Sequence, residues 1–402
     1  MTRSKGSRQT QESLAIFFLT FVQIMHIVDA MLIMPLGPQF MRIWSITPTQ
    51  FGLMVSAYTS CAAISALVCA LFINRYDRRS SLIFLYIGFT VSLIFCLMAH
   101  DYTSLLFARG LAGLFGGVIN AVVFAIIADL IPESRRGTAL GEVGIAFPIS
   151  SVAGVPIGLF LANHYDWHAP YLMLLILSII GGAFIFTCIP SLRGHVKKAR
   201  EEKIFKQSFL IFREKNHRRS LMLISILFLG GFSVIPFISP YMVANVGLSE
   251  TDLPLIYLFG GLATLFTSRY IGTLSDRYGK SQVFTIIAII SVIPVITLTN
   301  LPRAPVWIAI TTTTFFMIFV SGRFIPAMAI VSSASSSEVR GSFMSFNTAA
   351  QQISMSIASL TSSYIIGFTS EGALTNYGLV GLMSATCALI GVIVANTVKK
   401  ST

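Results

Sequence analysis

Gln23, His26 and Asp29 recur every three residues within one long apolar stretch, so on a helix they share a face. An amide, an imidazole and a carboxylate in a row suit proton transfer or the binding of a polar solute. Asp29 is the acid set deepest in any apolar stretch of the chain. A carboxylate at such depth is costly and by default functional, facing a cavity or a partner. Two arginines complement it, Arg109 and Arg323, each inside an apolar stretch of its own. At 1.5 Å per helical residue, Arg109 lies about 8 Å and Asp29 about 10 Å from the outer ends of their stretches. Matching depth allows an Asp29–Arg109 ion pair where their two stretches pack side by side, and proton uptake by the acid would release the arginine to an anion. In Ser321-Gly322-Arg323-Phe324-Ile325-Pro326 the second cation stands three residues before a helix-kinking proline. Where all three line one cavity, one acid against two arginines makes it positive and suits a cargo carrying a carboxylate, a phosphate or many hydroxyls. The alternative is that Arg323 binds backbone carbonyls freed by Pro326. The expected substrate contacts are therefore Gln23, His26, Asp29, Arg109 and Arg323, with Asp29 and Arg109 coupling the proton. His164 and His168, with Asp166 between them, have metal-like spacing but fall in a short loop, so no metal site is expected.

The elements that hold these residues are membrane spans. Of 402 residues 54% are hydrophobic and only 11% charged, against about a quarter charged in a soluble domain. The charges cluster, leaving runs of about 20 residues that fit a bilayer about 30 Å thick. The runs lack the alternation of barrel strands. The chain reads as an all-α polytopic membrane protein with twelve spans, roughly 14–36, 49–72, 81–99, 104–130, 138–162, 169–190, 220–243, 253–271, 281–299, 305–333, 341–366 and 375–397. The first span lacks a cleavage signature and is expected to stay as a helix. Residues 191–219 are polar and basic and read as a linker, which divides the chain into 1–190, 191–219 and 220–402.

The halves repeat. Ala70-Leu-Phe-Ile-Asn74-Arg75-Tyr76-Asp77-Arg78-Arg79 matches Gly272-Thr-Leu-Ser-Asp276-Arg277-Tyr278-Gly279-Lys280 at an offset of 202 residues (277 − 75), and Arg136-Gly137 matches Arg340-Gly341 at 204. A period near half the chain is what a duplicated membrane bundle shows. Of the 28 Lys and Arg residues, 24 fall on the side of the termini and only Arg42 and Arg303 on the other. Both ends are thus expected in the cytoplasm, of a bacterial-type inner membrane. The same sorting explains the net charge of +12 and excludes a nucleic-acid partner. The five cysteines, Cys61, Cys69, Cys96, Cys188 and Cys387, lie in apolar spans and read as small buried hydrophobes. Gly113–Gly117 lacks the Lys-Ser/Thr of a phosphate-binding loop. No enzyme and no cofactor are expected; an ion gradient or the cargo's own gradient supplies the energy.

The two repeated loops resemble the Gly-x-x-x-Asp-Arg-x-Gly-Arg/Lys signature of the major facilitator superfamily, and with the six-plus-six plan the resemblance covers nearly the whole chain. It implies two pseudo-symmetric six-helix bundles, a cavity lined by spans 1, 4 and 10, and a conformational latch at Arg75, Asp77, Arg78, Asp276, Arg277 and Lys280. The second copy is close to the signature. The first carries Asn74 for the acid and Asp77 for the glycine. Asp29…Pro35…Pro38 resembles span 1 of proton-coupled exporters in the superfamily. Leu105-x-x-x-Arg109-x-x-Ala112-Gly113 resembles its intramembrane arginine motif, with Ala112 in place of Gln. Gly154-Val155-Pro156-Ile157-Gly158, with Pro148, resembles the span-5 signature of its antiporters in the form of the sugar-efflux-permease branch. Pro35, Pro148, Gly154, Pro156, Gly158 and Pro326 are the expected bends. The reading is a monomeric secondary transporter related to the drug:proton antiporter and sugar-efflux group. It would export a small organic molecule (sugar, organic anion, siderophore or drug) against protons. The alternatives are a proton-symporting importer of a small organic anion and a non-transporting membrane sensor, the short linker and tails counting against the last.

Overall fold

The computed structural model describes residues 5–72, 76–192, 214–335, 340–370 and 372–399, with side chains throughout except at 5–11, 70–72, 133–134, 186–188 and 340–342. Twelve helical rods follow one another through these residues. In the first half they are α1 (Lys5–Leu32), α2 (Pro48–Phe72), α3 (Arg78–Leu97), α4 (Tyr102–Gly116 and Ile119–Leu130), α5 (Glu133–Gly144 through Val155–His164) and α6 (Ala169–Cys188). In the second they are α7 (Lys215–Val234 continued to Val246), α8 (Leu253–Tyr278), α9 (Lys280–Ile290 and Val292–Thr299), α10 (Val306–Gly322 and Phe324–Ser333), α11 (Arg340–Ile365) and α12 (Tyr377–Ala395). Every expected span is present as a helix. Of the expected linker, 193–213 lies outside the described residues, as do Asn74 and Arg75.

Among the described residues, nine rods are long and apolar enough to cross a membrane, and Ala169–Ile185 of α6 is a shorter apolar helix. The remaining two are α8, which carries Arg269, Asp276 and Arg277, and α11, rich in serine and threonine. The polarity of α11 is answered by packing rather than by water. Ser354, Ser356, Ser359, Ser362 and Ser363 are all buried, and most satisfy themselves on carbonyls one turn back, as Ser362 Oγ does on Ala358 O at 2.8 Å. α11 lies between α2 and α7, so a hydropathy reading undercounts it.

Interruptions fall where the sequence supplies breakers. α1 ends at Leu32, and after Pro35 a short helix Gly37–Ile43 continues. α5 passes through a π-helical Ser150–Gly154 between Pro148 and Pro156. α10 breaks between Gly322 and Phe324, just ahead of Pro326. Small residues at the α5 bend bring α5 onto α1, since a Cβ at Gly154 would lie 2.2 Å from Val28 Cγ2 and one at Gly158 2.7 Å from Leu32 Cδ1. An antiparallel hairpin, β1 (Gly367–Phe368) with β2 (Leu374–Thr375), links α11 to α12 where only a loop is expected. Asn245 pins it by donating to Leu374 O and accepting from Leu374 N, each at 2.9 Å.

The described hydrogen bonds that join the halves run from the end opposite the termini to the middle of the rods. Arg42 donates from Nε and Nη2 to Glu250 at 3.1 and 2.8 Å, and Asn163 Nδ2 to Glu250 O at 2.9 Å. Thr49 Oγ1 donates to Ser363 O at 3.1 Å and Ser359 Oγ to Gly52 O at 3.0 Å. Deepest is the Ser60–Ser356 hydroxyl pair. Gly52 makes the contact tight: a Cβ there would stand 2.2 Å from Ser363 Cβ.

Candidate functional site

Asp29 and Arg109 meet inside the first half, both with no exposed side-chain surface. Arg109 Nη1 donates to Asp29 Oδ1 at 2.6 Å, and Nη2 donates to Asp29 O at 3.3 Å. The depth match expected from sequence is thus a formed pair between α1 and α4. The ring of Tyr58 of α2 faces the cation, its centroid 4.9 Å from Arg109 Cζ. α2 can come so near because α4 carries Gly113, where a Cβ would meet Tyr58 O at 2.0 Å. Cys96 of α3 and Tyr171 of α6 flank the guanidinium. The pair is incompletely satisfied. Asp29 Oδ2 and Arg109 Nε have no hydrogen-bond partner among the described residues. The site thus keeps a buried acceptor and a buried donor unsatisfied among the described residues.

One turn nearer the termini, the rest of the α1 face is wired to α4. Gln23 Nε2 donates to Asn120 Oδ1. Gln23 Oε1 accepts from His26 Nε2 at 2.9 Å, which places a hydrogen on Nε2 and leaves His26 Nδ1, buried and unpartnered, as the free ring nitrogen. Four residues of this site, Tyr58, Cys96, Asn120 and Tyr171, carry no sequence motif. Asn120 alone had a signal, as an isolated amide within a span.

Arg323 is equally buried but keeps other company. Its Nη1 donates to Ser291 Oγ of α9 at 3.2 Å, Gly231 of α7 lies beside Nη2, and Cys387 of α12 is within electrostatic reach. No carbonyl freed by Pro326 is among its described acceptors, the Arg323 guanidinium bonding Ser291 instead. The cation sits among helices of the second half, apart from the residues grouped around Asp29.

The two repeated loops, where a latch is expected, differ in the opposite sense to their likeness to the family signature. Asp77 caps α3, accepting from Ser80 N at 3.3 Å and Ser80 Oγ at 3.1 Å, and it ties the end of the first half by accepting from Leu192 N at 2.6 Å and Ser191 Oγ at 3.2 Å. Burial pulls this carboxyl upward, but the Leu192 and Ser80 amides and the two hydroxyls outweigh it and hold it below the usual carboxylate range. Arg78 Nε donates to Asp129 Oδ2 at the end of α4, at 3.1 Å. In the second loop Asp276 and Arg277 are exposed. Arg277 stacks on Tyr278 at 5.3 Å, Asp276 makes no ion pair among the described residues, and Lys280 Nζ donates to Ala329 O at 3.2 Å. Arg75 lies outside the described residues.

The family model for the Major Facilitator Superfamily matches residues 19–358 and again 221–401. Among curated proteins, the chain is 23% identical over 380 residues to the uncharacterised MFS-type transporter YbcL of Bacillus subtilis, covering 93% of this chain and 94% of that one. It is also 23% identical to YceJ of the same organism, likewise an uncharacterised MFS-type transporter, over 89% and 91% of the two chains. Among solved structures, a D-xylose-proton symporter superposes with a TM-score of 0.75 at 17% identity, over 94% of this chain and 96% of that one. A bacterial homolog of the human lysosomal transporter Spinster, in an inward-facing and unoccupied conformation, also gives 0.75, at 12% identity over 96% and 97%.

Proposed function

The chain belongs to the Major Facilitator Superfamily, and from that premise we propose that it is a proton-coupled secondary transporter that exports a small organic molecule by alternating access. The observation that carries the coupling is the Asp29–Arg109 pair, fully buried yet with one carboxylate oxygen unpartnered. A proton accepted on Asp29 Oδ2 neutralises the carboxylate and loosens its hold on Arg109. With Asp29 charged, the carboxylate and the guanidinium, the latter supported by the Tyr58 face, together can hold polar groups of the cargo, and protonation of Asp29 withdraws the acceptor and discharges the cargo. Cargo and proton thus compete for the same carboxylate and occupy it in turn, which is the logic of antiport. In this reading His26, one turn nearer the termini and with Nδ1 unpartnered among the described residues, passes the proton, and Gln23, itself bonded to Asn120, holds its ring. The cross-half bonds on the side opposite the termini support reading this conformation as open toward the termini, the side that the Lys and Arg distribution assigns to the cytoplasm.

Purified protein in liposomes, offered a panel of sugars, organic anions and lipophilic cations under an imposed pH gradient, tests the direction. Antiport predicts accumulation of one class when the lumen is the acidic side. Accumulation only when the outside is acidic would make the protein a symporter, and counterflow indifferent to pH would make it a uniporter.

A further inference from the structure

Among the described residues, the second half contains a cation without a counter-ion. Arg323 has no exposed surface, its Nε and Nη2 have no hydrogen-bond partner, and no acidic side chain pairs with it among the described residues. A lone guanidinium inside a membrane bundle is expensive, and such groups mark ligand or ion paths.

Its setting shares three corresponding helices with that of Arg109, which has Tyr58 of α2 against it as well. Arg109 on α4 is ringed by Asp29 of α1, Cys96 of α3 and Tyr171 of α6. Arg323 on α10 is ringed by Gly231 of α7, Ser291 of α9 and Cys387 of α12. These are the corresponding rods of the two halves, although the arginines stand on different rungs of theirs. The offset of 202 residues that superposes Arg75 on Arg277 carries Asp29 onto Gly231 (231 − 29). A Cβ at Gly231 would lie 3.9 Å from Arg323 Nη2 and no nearer than 3.4 Å to the Phe324 ring, in ordinary contact. At the position where α1 supplies a carboxylate, α7 supplies a hydrogen atom and faces an unmatched cation. On α12 the Ser384 backbone packs on the neighbouring Gly230, where a Cβ would lie 3.2 Å from Ser384 O, and the buried Ser384 hydroxyl has no partner among the described residues.

We propose that the second half holds an anion site at Arg323, in which a compact monoanionic group takes the place that the Asp29 carboxylate takes beside Arg109. The group is either a carboxylate of the cargo or a free inorganic anion of chloride size. The site does not depend on proton coupling at Asp29, and its test involves no transport, so it can fail while that reading stands, and the reverse.

The unfolding temperature of the full-length protein in detergent is followed while sodium chloride or sodium acetate replaces sodium isethionate at constant ionic strength. Wild type should rise by about 2–4 °C once the anion is tenfold above its dissociation constant. Arg323→Gln removes the cation and should abolish the response. Gly231→Asp supplies a built-in carboxylate and should start higher and respond to neither anion. A response to acetate marks a carboxylate of the cargo as the occupant, and a response to chloride alone marks a free ion. A wild type indifferent to both anions, or equal responses in wild type and Arg323→Gln, would overturn the proposal whether or not Gly231→Asp folds.

Discussion

Asp29 and Arg109 are each other's only described ionic partner in a space without water contact. Replacing one strands the other as a buried charge, at a cost of about 3–5 kcal/mol. Asp29→Asn and Arg109→Leu should therefore each lower the unfolding temperature strongly, while the double variant falls by much less than their sum. Additive effects would mean that the two do not act as a pair. Asp77 makes a separate prediction at the polar edge of the bundle. Its carboxyl is lower in the folded protein than in the unfolded chain, so its contribution to stability is present above the unfolded value and is lost as pH falls through the folded one. Asp77→Ala should remove a cap worth about 0.5–2 kcal/mol near neutrality. The difference from wild type should persist at pH 6 to 8 and vanish in strong acid; a difference unchanged in acid would show that the cap does not act through the carboxylate. At this scale the sequence was informative where a charge stood in an apolar run, as with Asp29 and Arg109. It was silent on Tyr58 and Tyr171, because aromatic side chains are ordinary in spans and only packing shows which ones meet a cation.

Among the elements, the helix positions were legible because a bilayer demands long apolar runs, and the interruptions because Pro35, Pro148, Pro156 and Pro326 cannot complete a helical ladder. The β1–β2 hairpin was not legible, since two residues per strand leave no periodicity to read. Nor was the register of α2 against α11, which rests on backbone approach at Gly52. Gly52→Ala puts a Cβ 2.2 Å from Ser363 Cβ and 2.9 Å from Ser359 O, so α2 and α11 must separate. Spin labels at the ends of α2 and α11 remote from the termini should report a longer distance in this variant. An unchanged distance would mean that the contact is not limiting. Gly137→Ala in α5 meets nothing within 4 Å and should instead stabilise its helix by about 0.5–1 kcal/mol, leaving the distance as it is.

Taken whole, the molecule is two similar halves with dissimilar interiors. Among the described residues the first carries an internal ion pair and the second a buried arginine without an acidic partner, a contrast that shows only once packing reveals which helices surround each cation. The halves close on one another at the end opposite the termini, where Arg42 and Glu250 form the described ion pair between them. That pair is largely exposed on the arginine side, so it is worth at most about 1 kcal/mol, and Arg42→Ala should raise the alternative open population no more than about fivefold. Opening and closing are thus not governed by this contact alone, and the charge state of Asp29 is assigned the controlling part. The most direct test is proton movement in liposomes holding a pH-sensitive dye, with wild type and Asp29→Asn run side by side against the cargo panel. Cargo-dependent proton flux in wild type, opposite in direction to the cargo and lost in Asp29→Asn, is the predicted result. Cargo movement without proton flux, unaltered in Asp29→Asn, would contradict it and leave the Asp29–Arg109 pair a structural tie between α1 and α4.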